Sequence, residues 1–143
     1  MKKCRNIKTQ KHLALCASKH RNTNMSEFQD KLKKILDEYV HFVYKVTRDF
    51  PKGELYGSVS RWRRATLSII LNYIEGYARK KSLVQLNFLE ISYGSFKESK
   101  YLLYFSKQEN FLKENDFVAG KKLAEEIGAM LWTELSSLQK SLK

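Results

Sequence analysis

The sequence has very little of the residues that turn or break a chain. Its 143 residues include six glycines and one proline, Pro51. A many-stranded β fold needs frequent turn formers, so this composition argues against one. No apolar run approaches the ~20 residues that a membrane-spanning helix requires. We therefore expect an all-α protein with no membrane partner.

Cysteine is also scarce. The two cysteines, Cys4 and Cys16, lie near the start, so no disulfide framework is expected and a cytoplasmic location is the simple interpretation. Together with His12 and His20 they make a nominal zinc-ligand set, but its order and spacing match no common zinc module. We therefore expect no metal and no cofactor.

The rest of the chain lacks the groups that carry out catalysis. After residue 24, the only histidine is His41, and no cysteine is present. The sequence has no glycine-rich phosphate loop and no Glu-x-x-His pair of the kind that binds two metal ions in a helical bundle. No nucleophile is matched with a base. We therefore expect that the protein is not an enzyme.

Positive charge exceeds negative charge, but it is unevenly distributed. The formal net charge is +12, of which residues 1–24 carry +7 with no acidic residue. Such a balance favours a polyanionic partner, usually nucleic acid. The remaining residues carry only +5, which weakens that inference for the folded part. We interpret residues 1–24 as a basic disordered leader or an over-extended start, and residues 25–143 as the folded domain.

Apolar residues recur three and four positions apart over four segments, which is the spacing of amphipathic helices. The predicted helices run from Ser26 to Phe50, from Leu55 or Ser58 to Lys80, from Ser82 to Lys107, and from Asn115 or Asp116 almost to the C-terminus. Ser26 is the predicted N-cap of the first helix, and the third opens with the capping-box pattern Ser-x-x-Gln. Four such helices with short loops predict an antiparallel up-down-up-down four-helix bundle.

Two features predict close packing between helices and between copies of the chain. The apolar residues of the second helix cover an arc of about 200°, with Trp62 and Tyr73 near its middle, and an edge helix needs about half of that. We therefore expect this helix to contribute to a subunit interface. Gly120, Ala124 and Gly128 lie four apart in the fourth helix and predict the close approach of a neighbouring helix.

A polar stripe follows one face of the second helix. Its members share a spacing of three or four residues, and they are Arg64, Ser68, Asn72, Glu75 and Arg79, with Arg61 projecting from the same stripe. We favour a structural interpretation, in which Glu75 pairs with Arg79 and Asn72 bridges to a neighbouring helix. The alternative is a polar groove that binds RNA or a partner protein.

Two further groups of residues are candidates for RNA binding. The third helix has a basic and aromatic face made of Tyr93, Lys97, Lys100, Tyr104 and Lys107, which could stack bases and neutralise phosphates. The two ends of the second helix carry Arg61, Arg63 and Arg64, and the run Arg79, Lys80 and Lys81. The simpler interpretations are a solvated face for the first group and a favourable helix dipole for the second run.

The polar stripe and its apolar neighbours resemble a known signature. The residues Arg64-Ala65, Ser68-Ile69, Asn72, Glu75-Gly76 and Arg79 are similar to the pattern R-A-x-x-S-I-x-x-N-x-x-E-G-x-x-R, and Phe88 to Ile91, Gly94-Ser95 and Glu98 are similar to the third-helix pattern of the same family. That family comprises four-helix-bundle proteins encoded in intervening sequences of bacterial large-subunit ribosomal RNA genes. The resemblance covers about Met25 to Lys143.

The resemblance implies an assembly and a set of partners. It implies a ring-like homopentamer, and a related branch comprises the accessory variability determinant proteins of diversity-generating retroelements, which bind a reverse transcriptase and its template RNA. We therefore expect a non-catalytic oligomer that binds structured RNA or a ribonucleoprotein through basic surfaces, with a reverse transcriptase as a further candidate partner. The alternative is a protein-binding scaffold with no nucleic-acid role, whose charge keeps it soluble.

Overall fold

The structure is a computed structural model that describes residues 26–143. The expectations made for the basic leader, including those for Cys4, His12, Cys16 and His20, lie outside these residues. The chain divides into two compact units, Met1–Asp30 and Lys31–Lys143. The second unit contains the core and the candidate site.

Four long α-helices account for most of the described residues, and these residues contain no β-strand. Their bounds are Glu27–Val46 for α1, Ser60–Tyr77 for α2, Ser82–Gln108 for α3 and Glu114–Ser141 for α4. Helix α2 packs most closely on α3, and α3 packs on α4. The all-α prediction and the number of helices are confirmed.

Helix α1 begins as predicted but ends earlier. The Ser26 hydroxyl accepts a hydrogen bond from the Gln29 backbone amide at 3.4 Å, and the Gln29 side chain accepts one from the Ser26 amide at 3.2 Å. This reciprocal pair is a capping box. The α-helix ends at Val46, continues as a 3-10 turn over Thr47–Asp49 and stops because Phe50, which precedes the proline, is extended (φ −70°, ψ 154°).

The connection between α1 and α2 contains two short helical turns. A 3-10 turn over Lys52–Glu54 leads into a π-turn over Leu55–Val59, so the α-helical part of α2 starts later than predicted. The Glu54 carboxylate accepts hydrogen bonds from the Ser58 hydroxyl at 2.6 Å and from the Ser58 amide at 3.2 Å. These bonds lower the pKa of the Glu54 carboxyl.

The start of α3 differs from the prediction. Lys81 occupies the N-cap position, and no side chain caps the helix there, so the predicted capping box at Ser82 is wrong.

At the other end of α3, Asn110 adopts a left-handed conformation (φ 60°) and turns the chain towards α4. The following Leu112 is buried, and the Phe111 ring packs on Phe50 with their centroids 5.3 Å apart.

The core contains a buried hydrogen-bonded cluster at its centre. The Trp62 indole donates to the Ser99 hydroxyl at 3.0 Å, and the Ser99 hydroxyl lies 2.8 Å from that of Thr66 and donates to the Tyr39 hydroxyl at 3.2 Å. Burial raises the pKa of Tyr39, while its hydrogen bonds with Ser99 and Trp62 act in the opposite direction. The cluster joins α1, α2 and α3 through side chains whose polar atoms satisfy one another.

The broad apolar arc of α2 is covered within one protomer at its middle. Trp62 and Tyr73 are both 0% exposed, so the middle of the arc needs no second copy to cover it. The Trp62 ring packs on Phe50 and donates to Ser99 of α3, and the Tyr73 ring packs on Tyr77. The large apolar side chains of the arc that remain exposed are Leu71 and Ile74.

The predicted close approach at the glycines of α4 is confirmed. A Cβ atom at Gly120 would lie 2.6 Å from the Phe42 ring of α1, and one at Gly128 would lie 2.7 Å from the Phe96 ring of α3. Ala124 lies between them and is fully buried. Both distances are too short for a real side chain, so glycine is what allows these two aromatic rings to contact α4.

We expect Gly128→Ala to lower the free energy of unfolding by about 1–2 kcal/mol. The added methyl group would overlap the Phe96 ring, which is 2% exposed and cannot swing into solvent. The control is Gly94→Ala in α3, where a Cβ atom would meet nothing within 4 Å. That change should stabilise the protein by about 0.5–1 kcal/mol, because glycine is a poor helix former. Urea unfolding of both variants measures the difference, and equal effects would contradict the packing argument.

Candidate nucleic-acid interface

The polar stripe of α2 faces an open groove between α2 and α3. The groove has a volume of about 840 Å³. We call it the α2–α3 groove, and the side chains that define it are Tyr56, Arg61, Arg64, Leu67, Ser68, Leu71, Asn72, Ser95 and Glu98. The π-turn after Glu54 places Tyr56 at one end, where this side chain is 92% exposed.

Hydrogen bonds on the floor of the groove join α2 to α3. The Ser68 and Ser95 hydroxyls lie 2.8 Å apart, so one donates to the other across the two helices. The Asn72 amide donates to the Ser68 carbonyl at 2.8 Å and to the Ser68 hydroxyl at 2.9 Å. The prediction that Asn72 bridges to a neighbouring helix is therefore wrong, because its amide reaches back one turn and Ser68 makes the bridge.

Ion pairs flank these hydrogen bonds at both ends of the stripe. Arg61 donates to Glu98 on α3 at 2.7 Å. The predicted pair between Glu75 and Arg79 is confirmed, and the Arg79 guanidinium also lies 5.1 Å from the centroid of the Phe88 ring. Arg64 lies between these pairs, is exposed, and has no ion pair or hydrogen-bond partner within residues 26–143.

The apolar half of the signature has a packing role. Ala65, Ile69 and Gly76 are all buried, and Ala65 also lines the groove. A Cβ atom at Gly76 would lie 3.2 Å from that of Phe88, so this glycine allows the start of α3 to approach α2 closely. The signature therefore contributes both to the α2–α3 contact and to the polar groove beside it.

Three other basic candidates lie away from the groove. Arg63 turns towards α1, where its guanidinium donates to the Thr47 hydroxyl at 2.8 Å and lies 4.8 Å from the centroid of the Tyr44 ring. Lys80 and Lys81 are exposed in the turn that connects α2 to α3. Arg63 is thus held by the fold, whereas the two lysines are accessible.

The basic and aromatic face of α3 lies on the side that contacts α4, away from the groove. The Tyr93 and Trp132 rings have centroids 5.5 Å apart, and the Tyr104 and Phe117 rings meet edge to face at 5.3 Å. We call this surface the α3–α4 seam, defined by Tyr93, Lys97, Lys100, Tyr104, Lys107, Phe117 and Trp132. Lys97 lies 5.1 Å from the centroid of the Tyr93 ring, and Lys107 pairs with Glu114. The candidate residues thus form two surfaces on different sides of α3.

Sequence reasoning missed two exposed aromatic residues, Trp132 and Tyr56. Trp132 is 53% exposed and directly follows Leu131, which is buried in the core. Adjacent helical residues project about 100° apart, so this position alone was a signal that Trp132 leaves the core. Tyr56 lies between two glycines, Gly53 and Gly57, in the connection between α1 and α2, whose turns were not predicted from the sequence.

A family comparison agrees with the signature. The family model described as 23S rRNA-intervening sequence protein matches residues 31–133. The chain belongs to this family. The matched range contains every residue that defines the α2–α3 groove and the α3–α4 seam, so both surfaces are part of the family domain.

Comparison with solved structures supports the same fold. One similar structure is a crystal structure of a protein with unknown function from the S23 ribosomal protein family of Bacteroides thetaiotaomicron, with a TM-score of 0.70 and 14% sequence identity. The match covers 76% of this chain and 98% of that protein. At this identity the likeness establishes the fold alone. No curated protein matches the sequence.

The basic candidates of this family member differ in how far the fold neutralises them. Arg61, Arg79 and Lys107 pair with acids, and Arg63 is bound by Thr47 and Tyr44. Within residues 26–143, the remaining candidates have no acidic partner, and they are Arg64, Lys80, Lys81, Lys97 and Lys100. These five side chains therefore keep their full charge for an external ligand.

No group of three or more histidine, cysteine, aspartate or glutamate side chains among residues 26–143 is arranged to hold a metal ion. None of the helices in this part is long and apolar enough to cross a membrane.

Proposed function

We propose that this member of the intervening-sequence family is a non-catalytic, oligomeric helical bundle that binds structured RNA or a ribonucleoprotein through its basic surfaces. The observation that carries the proposal is the set of five unneutralised cations, Arg64, Lys80, Lys81, Lys97 and Lys100. Most of the 20 basic side chains in residues 26–143 have no acidic partner, and these five stand out because they lie on the polar stripe, in the turn between α2 and α3, and on the α3–α4 seam. Cations left without partners on the family's own surfaces favour a polyanionic ligand.

The groove adds recognition to this charge. Arg64 offers a guanidinium with five N–H donors in a space of about 840 Å³, beside the Ser68 and Ser95 hydroxyls and the exposed ring of Tyr56. Guanidinium groups bind phosphates through paired hydrogen bonds, and tyrosine rings stack on unpaired bases. The same space thus combines the two kinds of contact that RNA recognition uses.

The proposed assembly is an up-down-up-down bundle that forms a ring-like homopentamer. Its support is the exposed apolar surface on α2 and α3, where Leu71 is 59%, Leu83 is 70% and Ile91 is 44% exposed. Soluble proteins seldom expose several large apolar side chains close together without a partner. Several weak RNA contacts repeated around a ring would act together and raise the overall affinity.

The proposed partner could include a reverse transcriptase. This part of the proposal rests on the resemblance to accessory variability determinant proteins and on the same basic surfaces, because a reverse transcriptase is bound to its template RNA. Co-purification of the enzyme that depends on RNA, and is lost after ribonuclease treatment, would support contact through the RNA.

The proposal is tested by measuring RNA affinity at increasing salt. We expect the full chain to bind a structured RNA hairpin with an affinity that falls steeply between about 50 and 200 mM salt, because phosphate contacts release counterions. The variant Arg64→Gln, Lys97→Gln, Lys100→Gln should reduce the slope of log affinity against log salt by about 2–3. Filter binding provides the measurement.

A charge-matched control separates these residues from general basicity. Lys34→Gln, Lys45→Gln, Lys52→Gln removes the same charge from exposed lysines outside both surfaces. We expect it to change the slope by less than about 1. An affinity that is flat with salt, or equal slopes for the two triple variants, would contradict the assignment of RNA binding to these surfaces.

A protein-binding scaffold is the second candidate function. The observation that favours it is the apolar part of the α2–α3 groove, where Leu67 and Leu71 lie beside the polar stripe. A groove of this mixed character also fits a peptide or helix with apolar anchors. Binding to such a partner would depend little on salt, so the same titration distinguishes the two functions.

A further inference from the structure

We propose that Trp132 and Tyr93 form a stacking platform for unpaired bases of single-stranded RNA. This inference rests on the proposed RNA-binding function and specifies which form of RNA the α3–α4 seam binds. Trp132 was not among the candidate residues from the sequence. The platform lies on the α4 side of α3, apart from the α2–α3 groove.

The two rings are supported by the core. The Trp132 and Tyr93 centroids are 5.5 Å apart with the ring planes inclined by 44°, and the Tyr93 ring lies 5.9 Å from that of Phe96. Phe96 is 2% exposed, while Trp132 is 53% exposed. The Trp132 indole is half exposed and is held in place by the Tyr93 ring. It therefore presents a large aromatic surface and loses little conformational entropy when a base stacks on it.

Cations surround the platform on both helices. The Lys97 ammonium lies 5.1 Å from the centroid of the Tyr93 ring, and Lys100 follows one turn later on α3. On α4, Lys140 shares a surface depression of about 590 Å³ with Trp132, Thr133, Ser136 and Ser137. Of the acids on these two helices, Glu125 is paired with Lys121, and Glu90 of α3 accepts a hydrogen bond from Gln139 of α4 at 3.4 Å. Cations beside stacked aromatic rings are the arrangement that binds single-stranded nucleic acid.

The chemistry of the seam favours unpaired bases over a duplex. In a duplex each base is stacked between its neighbours, so a side-chain ring has no free face to contact. An unpaired base presents that face, and the lysines can then contact the flanking phosphates. The hydroxyl groups of Thr133, Ser136 and Ser137 add donors and acceptors for the ribose 2′-hydroxyl.

The two tryptophans make a direct measurement possible. The chain contains only Trp62 and Trp132, and Trp62 is 0% exposed, so a change in fluorescence on base stacking reports on Trp132. We expect a single-stranded RNA of about 10 nucleotides to quench the emission of the full chain, and a duplex of the same length to quench it much less. In Trp132→Phe the quenching should disappear, while most of the affinity remains because a ring is kept.

The anisotropy of a labelled RNA measures affinity, and it tests how much Trp132 contributes to the free energy of RNA binding. We expect Trp132→Ala to weaken single-strand binding by about 5- to 100-fold and to leave duplex binding within about twofold. The matched control is Tyr101→Ala, which removes a ring that is 67% exposed on a different side of α3 and should have little effect. Light scattering of each variant shows whether assembly is retained.

The outcomes separate this inference from the function on which it rests. If the full chain binds neither form of RNA, both the proposed function and the platform are wrong. If it binds single-stranded RNA but Trp132→Ala binds equally well, only the platform is wrong. Equal weakening for single strand and duplex, or a loss of assembly in Trp132→Ala, also overturns it, since Trp132 would then act through general binding or through a subunit contact.

Discussion

Replacing Trp62 by alanine is expected to lower the free energy of unfolding by about 3–5 kcal/mol. The indole is fully buried between helices, so its removal leaves a large cavity that rigid neighbouring helices cannot fill. The Ser99 hydroxyl would also lose the hydrogen bond that it accepts from the indole. Urea unfolding followed by circular dichroism, at one fixed protein concentration, measures the loss.

Two comparison variants separate the causes. Trp62→Phe keeps most of the ring volume and removes only the indole donor, so we expect a cost of about 1–3 kcal/mol. Trp132→Ala removes the other tryptophan, whose half-exposed ring should contribute about 1–2 kcal/mol. If Trp132→Ala costs as much as Trp62→Ala, the distinction between a core tryptophan and a surface tryptophan is wrong.

The helices could be predicted because their apolar residues repeat with the period of an α-helix. Each long helix buries one side in a shared core. This burial requires apolar residues at helical spacing, as Leu32, Leu36 and Val43 show. The ends were less predictable. The segment from Pro51 to Val59 forms two short turns, and its geometry depends on a local bond between Glu54 and Ser58 that no periodicity indicates.

The polar stripe was predictable as a set, and its pairings were only partly predictable. The pair between Glu75 and Arg79 follows from helical spacing alone. The bridge between Ser68 and Ser95 requires knowledge of which face of α3 meets α2, and this depends on tertiary packing such as the close approach of α3 at Gly76. A serine side chain is short and reaches another helix only where the two helices approach closely. The longer Asn72 was therefore predicted to make the bridge instead of Ser68.

The same limit explains why the neighbour of the basic and aromatic face of α3 could not be predicted. Helical spacing places Tyr93, Lys97 and Lys100 on one face of α3, but it does not say whether that face meets α2 or α4. The contact between Tyr93 and Trp132 places these residues at α4, while Arg61 pairs with Glu98 on the α2 side. A ring of copies would therefore carry these charges as separate sets, with Arg61 apart from Lys97 and Lys100.

The surface left for self-assembly is narrower than the 200° arc suggested. Trp62 and Tyr73 are covered by their own protomer, so the argument for assembly now depends on the exposed residues Leu71, Ile74 and Ile91. Leu71 and Ile74 lie on α2 and Ile91 lies on α3, and these two helices pack closely on each other. A rigid apolar surface of this kind loses little entropy when it packs against another copy.

We expect the full chain to assemble, with a mass by light scattering of about five times its 16.9 kDa at micromolar concentration. Ile74→Lys should shift this mass towards the monomer, because a charge placed in a desolvated apolar contact has no partner there. The matched control is Val118→Lys on α4, since Val118 is 57% exposed against 46% for Ile74 but lies outside this surface. A monomeric mass for the unmodified chain, or equal dissociation by both variants, would show that the exposed α2 edge does not hold copies together, and the multivalent part of the RNA-binding proposal would fail with it.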